Sequence, residues 1–411
     1  MRDARRLSGL AWAVLVAGLV LFLALDSYAT YFFFTSRYPG GNDFYARWQP
    51  LHAWLLTGQD PYSDAATRDT QIVMYGQPQG PSDSNFYYPL YSALFFGLPA
   101  LISSYAWASA VWLSILEASL LALAILSIAW SRWRPPPAIL ALTLVFAVLW
   151  YHAARTLILG QFAAIEALLL VGALLAARSG HNAWAGLLLA LSTSKPQMAV
   201  LLIPGLLLWA VSLRRWSLIG WFAAAMAVLI GGSSIFLPAW LPEWLRQISG
   251  YTDSSSSGIP SPVAILSGTL LLGAGHWPEY ALDALLVVYL LWSWYKARLD
   301  VGRHLDWAVA LTLVVTNLVA LRTATTNYVM MMPALFLLFA VAQQSWGRRG
   351  QALIVLAEAS LFFGLWALFI VTVNGIAEQP VMYLPVPLLL LAGLILARPA
   401  WIGNPVRAQA Q

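Results

Sequence analysis

The chain has 411 residues, 60% of them hydrophobic and only 9% charged, against about 25% charged in an ordinary soluble domain, which leaves almost no room for a water-soluble fold. The net charge of +5 sits in short loops between apolar runs and not on a continuous surface, so it speaks for membrane topology and against a nucleic-acid partner. The absence of cysteine excludes disulfides, thiolate nucleophiles and cysteine metal sites.

The apolar runs are continuous and not alternating, so they predict helices and not barrel strands, the two structures that satisfy every backbone amide in lipid. Arg2, Arg5 and Arg6 precede an apolar run from Leu7 to Leu25 that is too long for a signal-peptide core, which predicts an uncleaved first span with a cytoplasmic N-terminus. Further basic residues recur at Arg132 and Arg134, Arg178, Arg214 and Arg215, Lys296 to Arg303, Arg348 and Arg349, and Arg398 with Arg407. Placing these inside predicts spans near 8–34, 105–131, 137–154, 161–178, 183–197, 198–213, 217–237, 279–297, 305–321, 328–343, 351–373 and 382–398. The expectation is an all-α, polytopic transmembrane bundle of about twelve spans, a single integral-membrane domain over residues 1–411 in a cell membrane. The runs Tyr88–Ile102 and Val263–Leu272 are read as half-spans or in-plane segments, because a full span at the first would turn three basic loops outward.

Two long segments then fall outside, residues 35–85 and 238–262. The first is rich in Tyr, Trp, Pro, Gly and Asp, unlike a disordered loop. Within it Ala46–Leu56 has helical apolar spacing and predicts an interfacial helix with Trp48 and Trp54 at headgroup level. The second contains Asp253-Ser254-Ser255-Ser256-Ser257-Gly258, a stretch expected to be flexible.

Asp43 lies where the chain leaves the membrane, beside Gly40 and Gly41. It suits a general base for a sugar hydroxyl, or alternatively a cap for the following helix. Lys195, in Ser192-Thr193-Ser194-Lys195-Pro196-Gln197, puts an ammonium at the edge of the hydrocarbon, where it either snorkels to headgroups or meets an anion such as a lipid-linked phosphate. Arg322, in the polar break Arg322-Thr323-Ala324-Thr325-Thr326-Asn327-Tyr328, offers a forked donor pair for a phosphate, with Thr and Asn for sugar hydroxyls; Arg155 is a further candidate for the phosphate. Glu117, Glu166 and Glu358 are expected to face the bundle interior, paired or protonated, and Glu166 lies one turn beyond Gln161. His152, His181, His276 and His304 lack metal-ligand spacing, and no phosphate-binding glycine loop, nucleophile elbow or dinucleotide fingerprint is present.

An ordered series runs through the first half of the chain: Asp43-Phe44-Tyr45, Gly58-Gln59-Asp60-Pro61-Tyr62, Phe86-Tyr87-Tyr88-Pro89, Gly160-Gln161, and Ala185-Gly186 leading to Lys195-Pro196. In this series the sequence resembles glycosyltransferase family 87, the polyprenol-phosphate-mannose-dependent α-mannosyltransferases of the C-type membrane fold. It departs from the family at Ala163 and Ala164, where members commonly carry an Asn, and at Thr323 to Asn327, which lacks the usual His. The resemblance implies a hexose, mannose, carried on a polyprenyl phosphate and passed to a glycolipid or glycan hydroxyl on the extracytoplasmic face by inverting single displacement. Asp43 would be the base, and Lys195 with Arg322 or Arg155 would hold the departing phosphate. Tyr45, Asp60, Tyr87, Gln161 and Asn327 would contact sugar or acceptor. A monophosphate leaving group needs less neutralisation than a diphosphate, so neither a cofactor nor an obligatory divalent ion is expected.

The main alternative is a transporter or flippase of a lipid-linked saccharide, which more often places its polar site at the bilayer midplane on broken helices than in a long first loop. A lipid-linked polymerase or ligase would carry its largest loop late, whereas here the largest comes first.

Overall fold

The computed structural model describes residues 9–79, 84–253, 261–270, 275–319, 324–375 and 378–403, and within them the chain is helical, with no strand. Six helices among the described residues are long and apolar enough to cross a membrane, or seven when one bent pair is taken as a span. The helices start and stop close to where the apolar runs do, but several of the expected crossings are built from pieces. The chain forms two compact units, one comprising residues 1–86, 92–118 and 157–161, the other 87–91, 119–156 and 162–411.

The first unit begins with α1, Gly9–Thr30, which continues as a π-helical turn over Tyr31–Thr35. The external segment after it holds two helices, α2 (Asn42–Thr57) and α3 (Asp64–Tyr75), the latter capped by the Ser63 hydroxyl, which accepts from Ala66 N at 3.2 Å. Helix α4, Ala93–Ala100, packs against α2. With the turn before it, α4 forms an apolar helix over 90–100, about 16 Å long, half the hydrocarbon thickness. The packing of α2 on α4 corrects one expectation. Trp48 is not a headgroup anchor: it is 4% exposed and its indole N–H donates to Pro99 O at 3.1 Å. Helix α5, Tyr105–Ser131, follows the expected limits.

Helix α6 (Pro137–Leu149), in the second unit, is followed after Trp150 by α7 (Tyr151–Leu159), whose last residues belong to the first unit; the two are bent by 43°, as in a broken span or a re-entrant segment. Helix α8, Ala163–Arg178, and helix α9, Asn182–Leu191, pack side by side. The chain then turns through a short 3-10 segment, Ser192–Ser194, into α10 (Pro196–Ala199) and α11 (Leu202–Ser212). This break is why the expected spans 183–197 and 198–213 become shorter helices. Helix α12, Trp216–Phe236, lies against α9. A Cβ at Gly186 would stand 2.6 Å from Phe222 N, so only glycine lets these backbones meet.

The segment 238–262 contains α13, Trp240–Asp253; the expected flexible residues 254–258 lie outside the described residues. The short α14, Pro262–Leu270, covers most of the run read as a second half-span or in-plane segment. Helix α15, Trp277–Ala297, has spanning length but carries Glu279, Asp283 and Lys296. Helix α16, Arg303–Val319, is buried continuously from Leu305 to Leu318 and is the centre of this unit. A 3-10 segment, Thr325–Met331, leads into α17 (Met332–Trp346), followed by α18 (Arg348–Thr372), a turn at Pro380–Tyr383, and α19 (Pro385–Ile402).

The basic loops converge at one end of this unit. Arg178 and Arg132 meet Asp306 at 2.8 and 3.4 Å, Arg215 donates to Ala177 O, and Arg303 donates to Trp401 O at 2.7 Å. Charges at this end thus neutralise one another and satisfy carbonyls left open at helix termini.

Candidate active site

In the first unit, the loop that brings the chain out of α1 is tied down before Asp43 is reached. The Ser109 hydroxyl donates to Pro39 O at 2.7 Å, and the Tyr105 hydroxyl lies 2.8 and 2.9 Å from the carbonyls of Gly40 and Gly41. Gly41, at φ +65°, is the N-cap of α2, and its N–H donates to Ile158 O at 3.1 Å. The opposing segment of this contact is Leu159-Gly160-Gln161. Gly160 has φ +65°, its carbonyl accepts from the Trp112 indole at 2.8 Å, and a Cβ there would stand 2.6 Å from Phe44 Cβ. A side chain at 160 would therefore push the two segments apart.

The result is a pairing of two side chains from distant parts of the sequence: Gln161 Nε2 donates to Asp43 Oδ2 at 2.6 Å. Asp43 is half-buried in the first turn of α2, and Gly41, not Asp43, is the helix cap. Its Oδ1 has no hydrogen bond among the described residues. A carboxylate fixed through one oxygen, with the other open, is oriented to accept a proton.

Tyr45 is two residues on in the same helix, its ring edge-on to Tyr105 with centroids 4.8 Å apart, and burial pushes its phenol above the usual range. Asp60 acts locally, since its Oδ1 accepts from Tyr62 N at 2.8 Å and its carbonyl accepts from the Ser63 hydroxyl at 2.7 Å, an Asx turn that sets up α3.

The second unit holds two polar clusters. In the first, Lys195 joins the 192–194 turn to α10 and is 2% exposed, so it does not reach water by snorkelling. Glu166 of α8, which packs on this turn, is fully buried, and neither carboxylate oxygen has a hydrogen-bond partner among the described residues. Beside them the Tyr91 hydroxyl lies 2.9 Å from Thr193 Oγ1, and the buried Ser194 hydroxyl has no partner among the described residues. Tyr87 contributes its carbonyl, which accepts from the Trp244 indole at 2.9 Å.

In the second cluster Arg155 is paired, its Nε standing 3.1 Å from Glu378 Oε1. Glu378 also accepts from the Tyr151 hydroxyl, and the Thr325 hydroxyl is 2.8 Å from each of its oxygens. Asn327 is buried two residues on from Thr325, and neither its Oδ1 nor the Thr326 hydroxyl has a partner among the described residues. Arg322 lies outside the described residues. Glu378 and Tyr151 had no mark in the sequence beyond a lone acid in a late loop and an aromatic one turn before Arg155. Buried polar atoms without partners are rare in native structures and mark places where water, an ion or a ligand completes the bonding. No group of three or more Asp, Glu, His or Cys side chains that could hold a metal ion occurs among the described residues.

The sequence profile described as glycosyltransferase family 87 matches residues 86–323, more than half of the chain. The chain belongs to glycosyltransferase family 87. It is therefore a glycosyltransferase, built of apolar helices of membrane-spanning length. No curated protein and no solved structure matches it. The family 87 match takes in Tyr87, Arg155, Gln161, Glu166, Lys195 and Arg322, begins after Asp43, Tyr45 and Asp60, and ends before Asn327. For a family 87 enzyme this divides the Asp43–Gln161 pair, with the glutamine inside the matched stretch and the carboxylate ahead of it.

Proposed function

We propose that this enzyme transfers a hexose, mannose, from a polyprenyl-phosphate donor to a hydroxyl of a glycolipid or glycan on the extracytoplasmic face of the cell membrane. Asp43 removes the proton from the acceptor hydroxyl as its oxygen attacks the anomeric carbon. The bond from that carbon to the phosphate oxygen breaks in the same step, and the electron pair leaves with the polyprenyl monophosphate. The displacement is single, so a β-linked donor gives an α-linked product. Lys195, with Arg322 or Arg155, offsets the charge of the departing phosphate; Tyr45, Tyr87 and Asn327 contact sugar or acceptor, while Gln161 orients Asp43, and Asp60 shapes the loop through its Asx turn.

The observation that carries this reading is the 2.6 Å hydrogen bond from Gln161 to one oxygen of Asp43, which leaves the other oxygen open for a proton. About twelve membrane-crossing segments in a C-type arrangement, with the basic loops cytoplasmic, complete the proposal. It is supported by the agreement of helix limits with the apolar runs and by the gathering of Arg132, Arg178 and Arg303 at one end of the second unit.

The test is donor choice. Purified enzyme in detergent is given radiolabelled polyprenyl-phosphate-mannose or a nucleotide-linked mannose with candidate acceptors, and the anomeric configuration of the product is read by NMR. Transfer from the lipid donor alone, with an α-linked product, is expected; transfer from the nucleotide sugar alone, or retention of configuration, contradicts the proposal.

A further inference from the structure

Two hydroxyl donors and one ion-paired guanidinium, from two elements, converge on Glu378. Tyr151 and Arg155 lie one turn apart on one face of α7, and Thr325 opens the 3-10 segment that precedes α17. The set is enclosed: the Glu378 side chain is 7% exposed and that of Arg155 is 17%. The Phe369 ring flanks both α7 residues, 5.8 Å from the Arg155 guanidinium carbon and 5.2 Å from the Tyr151 ring. The carboxylate itself comes from outside any helix, in the connection between α18 and the turn at Pro380–Tyr383. Donors sit on helical backbone, then, and the acceptor sits on a connection.

One guanidinium and two hydroxyls directed at a pair of anionic oxygens are also the donor set that a phosphate takes, with charge-assisted bonds to each. A guanidinium buried this far is costly without an anion. Here the chain's own Glu378 carboxylate supplies one.

We infer that Arg155, Tyr151 and Thr325 form a binding site for the phosphate of a lipid-linked phosphate, and that Glu378 occupies it as a resident anion which the phosphate displaces. The inference rests on the proposed use of a polyprenyl-phosphate donor for the identity of the ligand, but not for the existence of the anion site. Glu378 thereby opposes phosphate binding, and it favours release of the polyprenyl monophosphate once the sugar has gone. A purely structural ion pair would have the opposite consequence, since loss of the carboxylate would leave Arg155 unsupported.

Binding of geranylgeranyl monophosphate in detergent separates the two. Glu378→Gln keeps the shape and an acceptor oxygen but removes the charge that competes. It is expected to bind the monophosphate about ten-fold more tightly than wild type, to bind geranylgeraniol no differently, and to lose the gain when combined with Arg155→Gln. Equal or weaker binding by Glu378→Gln overturns the inference. The chain has no cysteine of its own, so a Gln379→Cys variant gives a measurement with Glu378 intact. Maleimide labelling that quickens with the monophosphate and not with the alcohol is expected, and labelling that does not respond overturns the displacement even if Glu378→Gln fails to fold. Sugar transfer by wild type is read separately: failure of transfer with tighter binding by Glu378→Gln removes the proposed reaction and leaves the anion site, and the reverse pattern removes only the anion site.

Discussion

Gln161 donates its side-chain N–H to Asp43 Oδ2 at 2.6 Å across 118 residues of sequence. The two segments that carry them are joined by backbone, through Gly41 N to Ile158 O at 3.1 Å, so the pair is set by the chain fold and not by the chance meeting of two long side chains. The role this assigns to Gln161 is to fix the direction of a carboxylate.

Gln161→Ala is therefore expected to lower kcat by about 10- to 100-fold, the scale on which small misplacements of a reacting group act, with KM for the lipid donor nearly unchanged. Steady-state kinetics with the donor varied check it. An equal rise in KM with kcat preserved would make Gln161 a binding residue.

Gly160→Ala places a Cβ 2.6 Å from Phe44 Cβ at φ +65°, and is expected to cost about 1 to 3 kcal/mol and to reduce transfer with it. Gly180→Ala provides the comparison, because Gly180 also has a positive φ, +77°, but nothing stands within 4 Å of its Cβ position. Thermal unfolding in detergent should show the larger loss at 160, and only that variant should lose activity out of proportion to folded protein.

Lys195→Gln is expected to reduce kcat by about 100-fold, on the scale of deleting one group that stabilises developing charge. Lys195→Arg should recover part of it, and the loss should shrink with a donor whose leaving group is a weaker base. Single-turnover measurement of lipid monophosphate release checks the step directly.

A pH dependence of stability follows from Asp300, in the loop before α16. Burial opposes its charge, but the N–H groups of His304 and Gly302, at 2.8 and 2.9 Å, together with the His304 imidazole at 3.2 Å, outweigh burial and hold the carboxyl below the usual range. The folded state thus prefers the charged form. Its contribution is present above the unfolded value of about 4 and is lost as pH falls through the lower folded value. Asp300→Asn keeps the acceptor and removes only the charge, so it should lower stability by about 0.5 kcal/mol at neutral pH, and the gap to wild type should close below pH of about 4, as followed by thermal unfolding.

The sequence carried the positions of the helices because each membrane-spanning run is continuously apolar and ends at a basic or polar break. It did not carry the bend at Trp150 or the division at Ser192–Ser194, since neither residue type forbids a straight helix. Trp48 was misread because helical spacing of apolar residues is the same whether the face meets lipid or, as here, α4. Asp43 and Gln161 stood out as polar residues beside glycines, but their pairing depends on the positive φ of Gly160, which spacing does not encode. Glu378 was hidden for a different reason: its meaning lies in Arg155, Tyr151 and Thr325, none of them near it in sequence.

The most direct test of the account is transfer from radiolabelled polyprenyl-phosphate-mannose by wild type and Asp43→Asn, with donor binding measured alongside. The substitution keeps the size of the side chain and an oxygen acceptor for Gln161 but removes the base. Loss of transfer with donor binding intact is the predicted result; equal transfer by both proteins would contradict the assignment of Asp43, and with it the mechanism built on the Asp43–Gln161 pair.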